Sequence, residues 1–161
     1  MGYIIDKFRG IFLVNEPPHR IALAFAVGAF WGISPLVGLH YLMGLASAIL
    51  FRLNKLITVC GVSVSNPWTI VPISTFCIWF GAKLLNIKQV LPEIDWANLN
   101  FISIAGTIKD WEQLSELLIK LKPALISFFL GSFVVGTISA IFSYVIVLRL
   151  AKKYQQNKHL A

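Results

Sequence analysis

The sequence predicts an all-α integral membrane protein. It should be a small helical bundle with two proline-broken hydrophobic segments, one regular transmembrane helix and interfacial amphipathic helices. Three observations lead there. Of the 161 residues, 57% are hydrophobic and the mean hydropathy is +0.76, whereas a soluble domain has apolar usage of about 45–50%. The excess is gathered into three runs, 21–51, 56–82 and 123–148, none of which contains Asp, Glu, Lys or Arg. The first two runs each carry a polar-proline interruption near the middle, Ser34-Pro35 and Ser65-Asn66-Pro67. The division that follows is an interfacial arm over 1–20, a membrane domain over 21–148 with a polar linker at 83–122, and a basic tail over 149–161.

In the arm, Ile4, Ile5, Phe8, Ile11 and Phe12 share one side at helical spacing, with Asp6, Lys7 and Arg9 off that stripe. This predicts a short amphipathic helix lying in the membrane interface. Its apolar part is too short for a signal peptide and no small-residue cleavage site follows. The sixth residue is Asp6, where a myristoylation motif needs Ser or Thr. Pro17-Pro18 ends the arm, and proline suits the first turn of the next helix.

The first run, 21–51, would reach roughly 45 Å as one straight helix, against a hydrocarbon core of about 30 Å. It is too long for one upright span and too short for two. Pro35 lacks the N–H of a continuous helix, and its ring clashes one turn back. A pair of short helices meeting at Ser34-Pro35 is therefore expected, either as a re-entrant hairpin or as a broken span. Gly28 and Gly32 form a small-residue ridge, and Gly44 and Ala48 repeat the spacing. Such pairs permit close helix approach but are common in apolar sequence.

Arg52-Leu53-Asn54-Lys55 is the first charged interruption. The second run breaks at Ser65-Asn66-Pro67, with Thr69 and Pro72 just beyond. No residue-by-residue repeat relates the two runs. Five of the seven acidic residues, Glu93, Asp95, Asp110, Glu112 and Glu116, lie in the linker. There, residues 110–122 predict an amphipathic helix capped by Asp110, with Leu114, Leu117, Leu118 and Leu121 on its apolar face. Trp96 and Trp111 suit headgroup depth. The third run has the length of one tilted span, and Ser132, Gly136 and Ala140 make a packing stripe along it. Arg149, Lys152, Lys153 and Lys158 follow at once, as in a stop-transfer anchor. That cluster places both termini in the cytoplasm, although the raw count of basic residues does not decide the topology of the broken runs.

The formal charge of +7 reads as membrane anchoring, because no nucleic-acid-binding module is recognisable. Cys60 and Cys77 lie in an apolar run without a CxxC motif or ligand spacing, so they read as small buried hydrophobes, and no metal or cofactor is expected. No paired carboxylate, GxSxG or phosphate-binding glycine loop suggests an enzyme.

Backbone groups released at a helix break within a membrane need partners from protein or water. Broken helices in two segments are also the usual sequence pointer to a transporter site. The candidate substrate-binding residues are therefore Ser34, Pro35, His40, Ser65, Asn66, Pro67 and Thr69. Ser63 is also near. His40 could couple to a proton; its plainer reading is a neutral ring hydrogen-bonded to a nearby backbone carbonyl. Asn66 could read a ligand, but capping the helix after Pro67 is the plainer role. Arg52 and Asn54 are candidates for headgroup phosphate, beside ordinary interfacial anchoring.

The pieces PPHRIALAFAVGAFWGISPLVGLH, LASAILFRLNK, VSNPWTIVP and the glycine of IWFGAKLL together resemble the bacterial membrane family known as domain of unknown function twenty sixty-two. Gly28, Phe30, Pro35, Gly38, Asn54, Asn66, Pro67, Thr69, Pro72 and Gly81 fall where its pattern expects them. The resemblance implies a small bacterial inner-membrane, multi-pass protein. Some members are fused to glycosyltransferase-type domains, absent here, so a link to cell-envelope chemistry is association only. Two functions are carried forward. The first is transport or flipping of a lipid-linked or anionic small solute, as an oligomer among membrane lipids. The second is a non-transporting scaffold or subunit for an envelope enzyme.

Overall fold

A computed structural model describes residues 16–36, 38–87 and 111–159. The expectations for the arm before Glu16, for most of the linker and for Trp96 lie outside the described residues. Every regular element among those described is a helix: α1 (Pro18–Ile33), α2 (His40–Leu50), α3 (Lys55–Val62), α4 (Pro67–Leu84) and α5 (Trp111–His159).

Both predicted breaks are present. Helix α1 stops at Ser34, whose backbone is extended (φ −57°, ψ 143°), as the residue before a proline prefers. Gly38 takes φ +90° in the turn that follows, a conformation open to glycine and strained for other residues. Helix α3 stops at Ser63, and α4 starts at Pro67, where a missing N–H costs nothing. Pro72, in contrast, sits inside α4 without ending it.

The molecule divides into two compact units, 1–74 with 132–161, and 75–131. In the first, α1 and α2 form an antiparallel hairpin. Near its tip the Trp31 indole donates to the Ser47 hydroxyl at 2.8 Å; at its base an Arg20 guanidinium N–H donates to the Arg52 carbonyl at 2.5 Å. Helix α3 returns parallel to α1, so tightly that a Cβ on Gly28 would strike the Thr58 carbonyl oxygen and one on Gly61 the Phe25 carbonyl oxygen. One turn on, Gly32 faces the Val62 carbonyl. The C-terminal half of α5 runs antiparallel to α1: Phe133 packs edge-on against Phe30, Tyr144 meets His19, and the Gln155 amide donates to the Glu16 carbonyl at 2.9 Å. The core of this unit holds Ile21, Ala22, Ala24, Ala48, Leu53, Ile57, Val147 and Ala151.

The turn from α2 to α3 has a specific chemistry. The Leu53 N–H reaches the Ala48 carbonyl at 2.8 Å and the Arg52 N–H the Ile49 carbonyl at 3.2 Å. With Arg52 at φ +52°, this is a Schellman ending, in which the left-handed position is usually glycine. Asn86 (φ +55°) closes α4 in the same way, and asparagine tolerates that geometry.

In the second unit, α4 and α5 cross backbone to backbone. Gly81 lies against the Ser127 carbonyl and Gly131 against the Cys77 carbonyl, with no room for a Cβ on either. Helix α5 corrects one expectation. The amphipathic segment and the third run are a single 49-residue helix that passes through Pro123 and on into the basic tail. Proline removes one hydrogen bond and usually bends a helix. Here the flanking residues are strong helix formers with no glycine between 111 and 130, so nothing else stops it. Residues 121–156 of α5 are long and apolar enough to cross a membrane; α2 and residues 68–84 of α4 are apolar but shorter.

Candidate functional site

The parallel packing of α1 and α3 brings both breaks to the same end of the first unit. Gly32 touches Val62, and the Tyr41 hydroxyl reaches the Ser63 hydroxyl at 3.4 Å. Every candidate residue from Ser34 to Thr69, other than Arg52 and Asn54, sits at that end.

What these side chains do is largely local. The Asn66 amide oxygen accepts the N–H groups of Trp68 (3.0 Å) and Thr69 (2.9 Å), and the Thr69 hydroxyl accepts the Asn66 N–H at 2.9 Å. This reciprocal pair is a capping box with threonine in the third helical position. The Thr69 hydroxyl also reaches the Val64 carbonyl at 3.1 Å. Pro67 opens the helix between them. Ser34 accepts the Leu36 N–H at 3.4 Å beside half-buried Pro35. His40 is buried, and its Nδ1 accepts the Gly38 N–H at 3.1 Å. The plainer reading expects a carbonyl partner; the observed one is an N–H donor, with Nδ1 as its acceptor. Ser65 is buried, and its hydroxyl has no hydrogen-bond partner among the described residues.

Two helices end and two begin at this end. The C-termini of α1 and α3 oppose the N-termini of α2 and α4, so their partial charges offset. Two of the first N–H groups of α4 are already taken by Asn66. The expected pull on an anion at the breaks is correspondingly weak.

Arg52 and Asn54 lie at the opposite end. Asn54 is the N-cap of α3, accepting from Leu56 (3.1 Å) and Ile57 (3.3 Å), and its amide nitrogen faces Glu16 at 3.4 Å. The second Glu16 carboxylate oxygen is buried without a partner among the described residues. The Arg52 side chain is exposed.

Sequence reasoning missed a groove of about 470 Å³ in the first unit. Leu23, Val27 and Phe30 of α1 form one wall, Ser47 of α2 with Phe51 just past its end another, and Ala140, Ile141 and Tyr144 of α5 the third. None of the break residues lines it. A signal existed: His19, Leu23, Val27 and Phe30 follow helical spacing along one face. Near the Phe51 and Tyr144 end, His19 Nδ1 and the Tyr144 hydroxyl share a hydrogen bond of 2.6 Å.

No curated protein and no solved structure matches the chain. A family model described as "Uncharacterized protein conserved in bacteria (DUF2062)" matches residues 3–159. That match covers nearly the whole chain, and the protein belongs to this bacterial family of unknown function.

Proposed function

We propose that the protein is a multi-pass component of the bacterial inner membrane that moves or flips a lipid-linked solute. The observation that carries this reading is the inverted distribution of side chains. Buried positions are dominated by small residues: Ala22, Ala24, Ala29, Ala48, Ser127 and Ser132 are each 2% exposed or less. Large apolar residues face outward instead, including Leu50 at 76%, Trp68 at 89% and Phe142 at 68%. Lipid is a good solvent for such a surface and water is not, while small residues let helices approach without a hydrophobic driving force. Only 22% of the most apolar stretch of α5 is buried, which fits a lipid-facing span better than a soluble core helix.

Within this reading, the α1–α2 hairpin is re-entrant. Helix α2, at 11 residues, reaches about 16 Å, short of a 30 Å core. Ser34, His40, Asn66 and Thr69 hold the interrupted backbone in hydrogen bonds, as the membrane interior requires. An apolar groove, rather than a polar chamber at the breaks, favours a lipid-linked solute over a free anion.

Liposomes carrying the purified protein and a fluorescent phospholipid in both leaflets test the reading. Dithionite should bleach signal beyond the outer-leaflet half, at a rate that rises with protein density. Bleaching that stops at the outer-leaflet half contradicts transport. The scaffold reading is favoured by the same self-satisfied caps, which leave few free polar groups at the breaks. It predicts a stoichiometric envelope-enzyme partner and no lipid movement.

A further inference from the structure

We propose that the groove between α1, α2 and α5 holds one acyl chain of an anionic phospholipid, whose phosphate lies against Arg52. The inference rests on the membrane reading above but not on transport.

The groove supplies the tail site. Its walls are apolar apart from the Ser47 and Tyr144 hydroxyls, and the Ser47 hydroxyl is engaged by Trp31. Its volume lies within the usual range of ligand pockets. Nothing in such a surface recognises a polar solute, whereas a hydrocarbon chain gains from it by contact alone.

Charge at one end supplies the headgroup site. The walls lead to Phe51 and Tyr144, next to which stand His19, Arg20 and Arg52. Along the same end of the unit lie Lys55, Arg149, Lys152 and Lys153, all exposed. The opposing carboxylate among the described residues is that of Glu16, one oxygen of which faces Asn54. A surplus of cations beside an apolar slot is the complement of an anionic amphiphile. Juxtamembrane cations that merely anchor a helix need no slot beside them.

Arg52 gives an independent indication. It occupies the left-handed position of a Schellman ending, at φ +52°, where glycine would be unstrained. Its carbonyl is held by Arg20, its side chain is exposed, and the residue before it, Phe51, lines the groove. Glycine would serve that backbone position without strain, and the proposed reason for the strained choice is the arginine side chain.

The test uses full-length protein in which Trp68, Trp79, Trp96 and Trp111 are replaced by Phe, leaving Trp31 in the groove wall. Quenching of Trp31 is measured in vesicles containing brominated phosphatidylglycerol or brominated phosphatidylcholine. Phosphatidylglycerol should quench at several-fold lower mole fraction. Arg52→Gly should abolish that preference while helicity is retained and the melting temperature is unchanged or raised. Ala140→Phe, which fills the slot, should reduce quenching by either lipid. Equal quenching by the two lipids, or a preference that survives Arg52→Gly, overturns the proposal. So does a Trp31 that neither lipid quenches, which would mean that protein, such as a second copy, fills the groove. Selective quenching without dithionite-accessible lipid movement would leave this site standing and remove transport.

Discussion

Asn66 shows how a functional-looking residue is used by the backbone. An asparagine between a serine and a proline in a greasy run invites a ligand role, yet its oxygen takes two N–H groups of α4. Asn66→Ala should lower stability by about 1 kcal/mol, and Asn66→Asp, which keeps the acceptor, by a few tenths. Reversible denaturation in mixed micelles would measure both. The capping role was legible because asparagine before Pro-x-Thr has one cheap conformation. His40 was less legible: the ring's neighbour is set by the φ of Gly38, which the sequence allows but does not dictate. Glycines divide the same way. Gly38 has open space around it, so Gly38→Ala costs only the left-handed conformation, about 1–2 kcal/mol. Gly28 has ordinary geometry, but Gly28→Ala drives a methyl into the Thr58 carbonyl, a backbone atom that cannot swing away. That should cost about 1–3 kcal/mol by overpacking. Arg52→Gly should go the other way, raising stability by up to about 1 kcal/mol as left-handed strain is relieved, read in the same denaturation experiment.

At the scale of elements, helix ends were easier to read than helix partners. Ser34-Pro35 and Ser65-Asn66-Pro67 stop helices for reasons local to the chain, and both breaks are where the sequence puts them. The Gly28–Gly32 ridge announced a close approach without saying to what; its partner, the Thr58–Val62 face of α3, is a property of three dimensions. The Gly81–Gly131 crossing was overlooked, although Cys77 with Gly81 and Ser127 with Gly131 each have the four-residue spacing of a small-residue face. Gly131→Leu should separate α4 from α5 in the second unit. The expected result is a longer spin-label distance between cysteines placed at the exposed positions Trp79 and Phe129, in a background lacking Cys60 and Cys77, while helix content is kept. Pro123 misled for a physical reason. A proline reads equally well as the first turn of a new helix or as a bend in a long one, and the difference depends on the absence of any cap before it.

For the whole chain, the sequence speaks of preferred solvent more readily than of activity. Length, hydropathy and charge-free runs describe the solvent a protein prefers, and the outward display of Leu50, Trp68 and Phe142 accords with them. The candidate site was legible only in part. The break residues gather at one end, but the groove lies elsewhere, because it is made by faces of α1, α2 and α5 whose meeting no local pattern records. The proposed re-entrant hairpin requires α1 and α2 to enter and leave the bilayer on one side. It is tested most directly by single cysteines at Pro17, Leu39 and Arg52 in a background lacking Cys60 and Cys77, labelled with a membrane-impermeant thiol reagent from each face of sealed vesicles. Positions 17 and 52 should label from the same face, and position 39 should resist labelling from the opposite face. Labelling of 17 and 52 from opposite faces would contradict the account.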